Sequence, residues 1–421
     1  MNSRAYCGHS SFNLIRALGL ALLITSVLLP ASLSTRYGAA RTEAQASGQV
    51  HGQAQTHAAY LPMAVGNRAF GLQPVGQGFY VPLGITHAGD ERIFIAERGG
   101  RIQILHPDGR ETTFISLESR VVSSPGEYGL YDVAFHPGYA DPDSPGYGFF
   151  YVFYTGKEGA DIYSTISRLR VSADPDIADP ASETQLFHLQ QFNIYHKGGE
   201  LDFDPRDNTL YAAIGDDTSP PNAQLPDTPK GKIIRLPVDD VPAAAVGDVS
   251  DLIEPEIVAM GLRNPYRFDL DPQSNRLFIG DVGENTWEEV NVMTLDGTLP
   301  NMGWPCREGP EPHTLYQNHP VCAGNKPFVE PVAYLSHADG HCAVIAGKFT
   351  RTANRDGEFI FADACSHQIF SMTYSGGAWY STQLGVSPAG GLLTTIGEDV
   401  HGNLYVGLAR SNGPIYRLIL R

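Results

Sequence analysis

The stretch Leu201-Asp-Phe-Asp-Pro205, followed by the pair Leu210-Tyr211, decides the fold because the chain contains it twice. It returns 67 residues later as Phe268-Asp-Leu-Asp-Pro272, followed by Leu277-Phe278. Each copy predicts a short strand, a turn at the Asp-Pro dipeptide and a second strand. Strand-rich units that recur at such a period are typical of a propeller or a related repeat array.

Similar strand-length runs, separated by clusters of Gly, Pro, Asn and Asp, continue through the chain. Examples rich in β-branched or aromatic residues are 92–96, 148–154, 232–238, 392–398 and 415–420. About six units of roughly 60 residues fit into the chain, within the four to eight blades that propellers have. The sequence therefore predicts an all-β, six-bladed β-propeller with four-stranded antiparallel blades over residues 66–421. A pair of β-sandwiches is the alternative architecture.

The composition of the 421 residues agrees with short strands and tight turns. The chain has 45 Gly and 30 Pro, residues that the interiors of long helices exclude. Its formal net charge is −17. Because affinity for nucleic acid comes largely from Lys and Arg that neutralise phosphates, this charge argues against a nucleic-acid partner.

The N-terminus has the pattern of a secretory signal. Basic residues precede an apolar run at 17–29, and small residues follow it. The run is shorter than the roughly 20 apolar residues of a membrane span, so we expect no transmembrane segment in the mature chain. We predict a signal peptide over 1–34, with the cleavage site between residues 34 and 46, and a disordered linker over 35–65. The expected location is extracytoplasmic: secreted, periplasmic or at the cell surface. An uncleaved anchor is the alternative.

Four cysteines lie beyond the predicted signal, which contains Cys7. An even number in an exported chain predicts disulfides. Three connectivities are possible for Cys306, Cys322, Cys342 and Cys365. We favour Cys306 with Cys322 and Cys342 with Cys365, because each pair brackets one turn or hairpin. Since no CxxC pair occurs, these thiols do not predict a zinc site.

His196 is the first candidate for a catalytic residue. It precedes Gly198-Gly199 in a segment that is predicted to be extended and interrupted by turns. An imidazole titrates near neutrality and can act as a general base. The alternative is a structural histidine that bonds a backbone carbonyl at a blade edge. His136, ahead of Pro137, is predicted to be a turn histidine.

Arg263, ahead of Asn264-Pro265, has two interpretations. It either contacts a ligand or acts as a structural plug that bonds strand-end carbonyls in the central channel. We interpret Trp287 and Trp304 as residues that pack within blades.

Two oxygen-rich loops could bind calcium. Asp216-Asp217 lies near Asn222, and Asp281 lies near Glu284. Neither has the spacing of an EF-hand, and turn-capping carboxylates explain both equally well.

Eight phrases in the same order resemble the family of soluble glucose/sorbosone (aldose sugar) dehydrogenases that depend on pyrroloquinoline quinone (PQQ). That family consists of six-bladed propellers and includes the hedgehog-interacting-protein-like domains. Among the phrases are His196-Lys-Gly-Gly-Glu-Leu and Gly261-Leu-Arg-Asn-Pro-Tyr-Arg-Phe. The others are 91–102, 129–137, 231–235, 280–290, 301–305 and 396–406.

The resemblance implies roles for three motifs. His196 corresponds to the catalytic base, and Arg263 and Asn264 correspond to residues that contact the quinone and the substrate. Gly283 and Glu284 fall where backbone carbonyls hold a calcium ion against the cofactor. Calcium prefers oxygen ligands and can polarise the quinone carbonyl that receives the hydride.

Several positions depart from the family. Glu127, which we place among the cofactor-binding residues, stands where the enzymes typically carry Gln, and Val282 stands where another Gln precedes the calcium site. Cys365 lies where the glucose enzymes have a cofactor-binding Lys, and 392–395 is Leu-Leu-Thr-Thr in place of paired arginines. Much of the cation set that binds the quinone's carboxylates is therefore missing. The segment 363–366 is closer to the interacting-protein branch, whose domains do not all bind the quinone.

Three functions are consistent with these features. The first is an exported quinoprotein oxidoreductase that oxidises an aldose to its lactone, with PQQ and calcium as cofactors and an external electron acceptor. The second is an extracellular ligand-binding propeller that has lost the quinone. The third is a calcium-dependent lactonase, which would need Glu127, Asp281 and Glu284 to converge on the propeller axis.

Overall fold

The computed structural model describes residues 64–65, 70–323, 327–351, 355–387, 390–410 and 412–420. In these ranges strands alternate with turns, and the helices are short 3-10 helices. They are Pro220–Gln224, Val238–Asp240, Ser250–Leu252, Pro320–Cys322 and His337–Asp339. None of the described helices has the length and apolar character that crossing a membrane requires. The predicted signal peptide, Cys7 and the predicted linker up to residue 63 lie outside the described residues.

The described strands form six sheets of four or five strands, which we number as blades 1 to 6, and one separate two-stranded sheet. The chain begins with β1 (Ala64–Val65) and β2 (Phe70–Gly76). Blade 1 contains β3 (Pro82–His87), β4 (Ile93–Glu97), β5 (Arg101–Leu105) and β6 (Glu111–Ser116). Blade 2 contains β7 (Leu130–Phe135), β8 (Phe149–Glu158), β9 (Asp161–Val171) and β10 (Ala178–Gln191). Blade 3 contains β11 (Leu201–Asp204), β12 (Thr209–Ile214), β13 (Lys232–Leu236) and, after the short β14 (Gly247–Asp248), β15 (Glu256–Met260).

The remaining blades follow the same plan. Blade 4 contains β16 (Pro265–Asp271), β17 (Arg276–Asp281), β18 (Trp287–Thr294) and, after the hairpin of β19 (Arg307–Glu308) and β20 (Glu311–Pro312), β21 (Ala333–Ser336). Blade 5 contains β22 (Val344–Phe349), β23 (Glu358–Asp363), β24 (Gln368–Ser375) and β25 (Ala378–Val386). Blade 6 contains β26 (Leu392–Glu398), β27 (Leu404–Ala409), β28 (Ile415–Leu420) and β2.

Each blade has four antiparallel strands, which confirms the predicted six-bladed propeller. Two short strands extend the outer edges in parallel: β1 pairs with β25, and β14 pairs with β10. Ala64 and Val65, the last residues of the predicted linker, therefore pair with Thr382 and Gln383.

The ring closes between the two ends of the described chain. Strand β2 pairs with β28 from Phe70 opposite Leu420 to Gly76 opposite Ile415. The inner strands β26 and β3 then contact each other, so blade 6 meets blade 1. Closure of this kind leaves only short edges open to other chains.

The repeat in the sequence is the inner hairpin of two neighbouring blades. Asp204 pairs with Thr209 in blade 3, and Asp271 pairs with Arg276, 67 residues later, in blade 4. Large side chains pack between adjacent blades, as Phe94, Phe114 and Phe150 do between blades 1 and 2.

A buried arginine ties four blades together at the hub. The Arg267 side chain of β16 is 1% exposed, and its Nη1 donates to Glu200 Oε2 at 2.6 Å. Its Nη2 donates to the carbonyls of Leu83 in β3 and of Tyr131 in β7, the latter at 3.0 Å. The structural plug considered for Arg263 is thus provided by Arg267.

A cavity of about 160 Å³ lies in the hub between the inner strands. Charged side chains line it, including Asp132, Glu200, Asp202, Lys348 and Glu398. Lys348 Nζ lies 3.5 Å from Glu200 Oε1 and 3.9 Å from Asp202 Oδ2, so an ammonium partly balances these carboxylates.

Both favoured disulfides form. Cys306 and Cys322 join the long connection between β18 and β21, with their Cα atoms 5.5 Å apart. Cys342 and Cys365 join the two ends of the β22–β23 hairpin, with their Cα atoms 5.6 Å apart.

We predict that Arg267→Met lowers the free energy of unfolding by about 3–5 kcal/mol, because it removes the cation nearest to the buried carboxylate of Glu200 and leaves only Lys348, at 3.5 Å from the other oxygen. Urea titrations followed by circular dichroism measure the change. Arg206→Met is the control: Arg206 pairs with Asp204 but is 41% exposed, and its loss should cost about 1 kcal/mol or less. Equal losses in the two variants would contradict the role given to Arg267.

Candidate active site

The candidate site lies on one face of the ring, which we call the upper face. It is formed by loops that enter the inner strands and by loops that join the second and third strands of a blade. In an antiparallel blade both kinds of loop emerge on the same side. His196 precedes β11 and Arg263 precedes β16, while Asp216 follows β12 and Glu284 follows β17.

A chain of hydrogen bonds holds the imidazole of His196. Its Nδ1 lies 2.7 Å from Asp216 Oδ1, and Trp304 Nε1 donates to Asp216 Oδ2 at 2.9 Å. The Asp216 side chain is fully buried, whereas that of His196 is 12% exposed. Because a carboxylate accepts hydrogen bonds, we assign the proton of neutral His196 to Nδ1. Its Nε2 then carries a lone pair, as a general base requires.

Glycines allow the His196 loop to lie against the end of β12. His196 has a left-handed backbone, with φ of 59°, and Gly198 has φ of 71°. A Cβ at Gly198 would overlap the carbonyl of Ala213, and one at Gly215 would overlap the carbonyl of His196 itself. Asp216 comes within reach of the imidazole because these two backbones are in contact.

Two of the predicted cofactor-binding residues brace the same loop. Asn264 Oδ1 accepts from the backbone N of Gly198 at 2.9 Å, and its Nδ2 donates to Glu127 Oε2 at 3.4 Å. Glu127 Oε2 also accepts from the backbone N of Lys197 at 3.2 Å. The structure thus brings Glu127 and Asn264 to the His196 loop, where both hold its backbone.

A buried lysine pair behind the loop was not anticipated from the sequence. Asp217 accepts from Lys197 Nζ at 2.6 Å and from Lys230 Nζ at 2.7 Å. It also accepts from the backbone N of Phe192 and of Asn193. Burial alone would raise the pKa of Asp217, but the hydrogen bonds from the two ammonium groups bring it below its ordinary value. The Asp216-Asp217 loop, considered as a calcium loop, instead holds His196 and its connecting segment.

Arg263 lies on the same face as His196, and Trp304 connects the two residues. The guanidinium carbon is 5.5 Å from the centroid of the Trp304 ring. Nη1 donates to the carbonyl of Val282 at 3.0 Å and to that of Gly283 at 2.7 Å. The backbone N of Arg263 donates to Asp281, whose pKa burial raises to about 7.

The residues predicted to hold calcium have other partners. The carbonyl of Gly283 accepts from Arg263, and Glu284 Oε2 lies 2.9 Å from His313 Nε2. The adjacent carboxylate of Glu308 accepts from the backbone N–H groups of residues 284–287. Burial opposes ionisation of Glu308, but these N–H groups lower its pKa below the ordinary value. Within the described ranges, no three His, Cys, Asp or Glu side chains are grouped to hold a metal ion. In this arrangement Arg263 donates to one of the two backbone carbonyls predicted to hold calcium, that of Gly283.

The carboxylates required by the lactonase alternative do not converge. Glu127 braces the His196 loop, Asp281 accepts backbone N–H groups beneath Arg263, and Glu284 bonds His313. Each is therefore engaged in a separate contact.

Two residues from the segments where the glucose enzymes carry further cations have structural contacts here. Cys365 is bonded to Cys342, and Thr394 Oγ1 donates to the carbonyls of Pro82 and Gly407. The upper face still offers a carboxylate-bearing quinone a base at His196 and a guanidinium at Arg263. These residues fit such a group with fewer cations than the glucose enzymes use.

Fold and site together define a six-bladed propeller with a histidine–aspartate dyad on its upper face. The family model described as Glucose / Sorbosone dehydrogenase matches residues 79–417. The chain belongs to this family, which confirms the resemblance predicted from its motifs.

Curated relatives include plant and animal proteins. The HIPL1 protein of Arabidopsis thaliana is 28% identical over 308 residues, which are 59% of this chain and 43% of that protein. The Hedgehog-interacting protein of Homo sapiens is 28% identical over 49% of this chain and 32% of that protein. The chain thus spans less than half the length of either relative.

Solved structures share the fold. The apo-form of the soluble aldose sugar dehydrogenase from Escherichia coli has a TM-score of 0.66 at 20% identity, covering 84% of this chain and all of that one. The PQQ-bound aldose sugar dehydrogenase from Streptomyces coelicolor has a TM-score of 0.65 at 21% identity, covering 85% of this chain and all of that one. At these identities the likeness is one of fold.

The Cys342–Cys365 hairpin gives a prediction about pH. Asp363 accepts from the backbone N of Cys342, Ala343 and Ser366, and despite burial these bonds and His341 lower its pKa to about 2. The ionised carboxylate therefore stabilises the fold above about pH 4, and this contribution is lost as the pH falls toward 2. Asp363→Asn should lower the free energy of unfolding by about 2 kcal/mol at pH 7 and by about half as much at pH 3.

Denaturant titrations at the two pH values measure this difference. Asp356→Asn is the control, because Asp356 is 72% exposed and should change stability little at either pH. A loss of equal size at pH 7 and pH 3 for Asp363→Asn would contradict the assignment.

Proposed function

We propose that this protein is an exported quinoprotein dehydrogenase that oxidises an aldose sugar to its lactone at the upper face. The observation that carries the proposal is the hydrogen-bond chain from His196 through Asp216 to Trp304. Membership of the Glucose / Sorbosone dehydrogenase family supports it, as does the shared fold with a PQQ-bound aldose sugar dehydrogenase.

His196 acts as the base that takes the proton from the hydroxyl group on the anomeric carbon. The proton goes to Nε2, while Nδ1–H stays hydrogen-bonded to Asp216. As the imidazole becomes an imidazolium, the buried carboxylate stabilises its charge and holds the ring in place. Trp304 keeps the second oxygen of Asp216 occupied, so the carboxylate does not turn away.

A bound quinone would accept the hydride that leaves the same carbon and would pass the electrons to an external acceptor. Arg263 and Asn264 would hold and orient it, with the guanidinium of Arg263 able to pair with its carboxylates. Calcium, if bound, would be held by the backbone carbonyls of Gly283 and Glu284, and it would polarise the quinone carbonyl that receives the hydride.

Export is part of the proposal. The predicted signal peptide points to it, and the disulfides Cys306–Cys322 and Cys342–Cys365 support it, because such bonds persist in oxidising compartments. The substrate is a small sugar, and the acidic composition argues against nucleic acid as a partner.

A second candidate function is a ligand-binding propeller without the quinone. One observation favours it: the Cys342–Cys365 disulfide and the engaged hydroxyl of Thr394 stand where the glucose enzymes place cations. The relatives named for interaction with Hedgehog agree with this alternative.

Dye reduction by the purified protein, supplied with PQQ and a panel of aldoses, tests the first function. We expect turnover in the wild type and a loss of about 10²–10⁴-fold in kcat for His196→Ala, since that is what a general base contributes. Asp216→Asn should also lower kcat, and its pH profile should shift because the imidazolium loses its anionic partner. Quinone absorbance measured on each variant separates lost binding from lost chemistry.

His401→Ala is the matched control, because His401 is an exposed histidine that pairs with Glu91 on the surface. It should retain wild-type turnover. If the wild type neither retains PQQ nor reduces the dye, the dehydrogenase proposal is wrong and the ligand-binding function takes its place.

A further inference from the structure

We propose that Lys197 is a positioning residue for His196. Its buried ammonium joins blade 2 to blade 3 and, together with Asp217, fixes the segment 192–197 that carries the imidazole. The inference deepens the proposed function. Its kinetic consequence rests on that function, whereas its structural consequence does not.

Two adjacent residues on each side form an outer pair and an inner pair. In the outer pair His196 Nδ1 lies 2.7 Å from Asp216 Oδ1, and in the inner pair Lys197 Nζ lies 2.6 Å from Asp217 Oδ1. The side chains of the inner pair are 0% and 2% exposed. The backbone N of Asp217 also donates to the carbonyl of His196 at 3.4 Å. Each member of the outer pair is therefore one peptide bond away from a member of the inner pair.

Asp217 binds both ends of the segment that carries the imidazole. Its Oδ2 accepts from the backbone N of Phe192 at 2.8 Å, and its Oδ1 accepts from that of Asn193 at 3.0 Å. Lys197, at the other end, donates to the same Oδ1, and Lys230 Nζ donates to Oδ2 at 2.7 Å. One buried carboxylate thereby sets the positions of both ends of the segment.

The ammonium of Lys197 connects two blades. It donates to Asp217, which follows β12 in blade 3, and also to Gln191 Oε1 at 2.9 Å, at the end of β10 in blade 2. Gln191 Nε2 donates in turn to Ser164 Oγ of β9 at 2.9 Å. A buried polar network whose members are hydrogen-bonded makes a structure rigid. Lys197 therefore bridges the point where the chain, with His196, crosses from blade 2 to blade 3.

The backbone at this crossing needs support from its surroundings. The φ angles are 59° at His196, 59° at Asp217 and 52° at Thr218. A left-handed conformation costs free energy in residues other than glycine, and it persists where the surrounding structure fixes it. Lys197 and Asp217 supply such contacts. Without the ammonium of Lys197, we expect the segment to relax and the imidazole to leave Asp216 part of the time.

Two measurements on Lys197→Met test the inference, and one of them does not depend on turnover. The variant should fold, because Lys230 still pairs with Asp217. Solvent exchange of the His196 Nδ1 proton, followed by NMR with isotope-labelled histidine, should become about 10-fold faster, since the hydrogen bond to Asp216 opens more often. The kcat should fall about 10-fold to 100-fold with little change in KM, the effect of a small misplacement of a catalytic group.

A double variant separates positioning from general destabilisation. If Lys197 acts through His196, Lys197→Met should not lower the residual kcat of His196→Ala any further. Arg168→Met is the matched control. Arg168 is also a buried cation, 2% exposed, but it donates to the carbonyls of Val241 and Pro242. This variant should keep wild-type proton exchange at His196 and wild-type kcat.

Wild-type exchange and wild-type kcat in Lys197→Met would overturn the inference, and so would a further loss of kcat in the double variant. If the wild type shows no turnover, the dehydrogenase proposal fails, while the exchange measurement still decides the inference. If Lys197→Met does not fold, Gln191→Leu takes its place. It removes the blade 2 end of the same bridge without removing a charge, and it should also speed exchange at His196; unchanged exchange would overturn the inference.

Discussion

The salt bridge and carbonyl contacts of Arg267 are the interaction on which the remaining structure depends. One guanidinium reaches the inner strands β3 and β7 and the residue before β11, while its own backbone belongs to β16. A charge this deeply buried is tolerated because Glu200 and two carbonyls accept hydrogen bonds from its two terminal nitrogens. These contacts fix the inner parts of four blades relative to one another, and thereby the positions of the loops that lead into them.

Residues from distant parts of the chain meet at the upper face, because the inner strands below it are fixed. His196 and Asp216 come from the two ends of the β11–β12 hairpin, and Trp304 comes from the long connection in blade 4. Arg263 then lies over the same tryptophan and on the carbonyls of the β17–β18 loop. An imidazole and a guanidinium thereby share one supporting framework.

The parts of the fold that were predictable are those with local signals. The inner hairpins of blades 3 and 4 carry alternating apolar residues and an Asp-Pro turn. In blade 3 the two short strands predicted on either side of this turn form as Leu201–Asp204 and Thr209–Ile214. Strand β10 was missed, because its residues 178–191 are mostly polar and become a strand only by pairing with β9. Trp304 was interpreted as a packing residue, because its bond to Asp216 spans 88 positions that no local pattern relates.

The sequence by itself determined the class of fold through its periodicity, and through spacing it favoured the cysteine pairing that the structure has. It also made His196 a candidate, because this residue lies beside two glycines. Only the tertiary structure decided which groups the site residues contact. Whether the Gly283 carbonyl faces a metal ion or Arg263, and whether Asp216 binds calcium or His196, depends on which loops meet above the hub. That meeting is set by ring closure through β2 and β28, a contact between the two ends of the described chain.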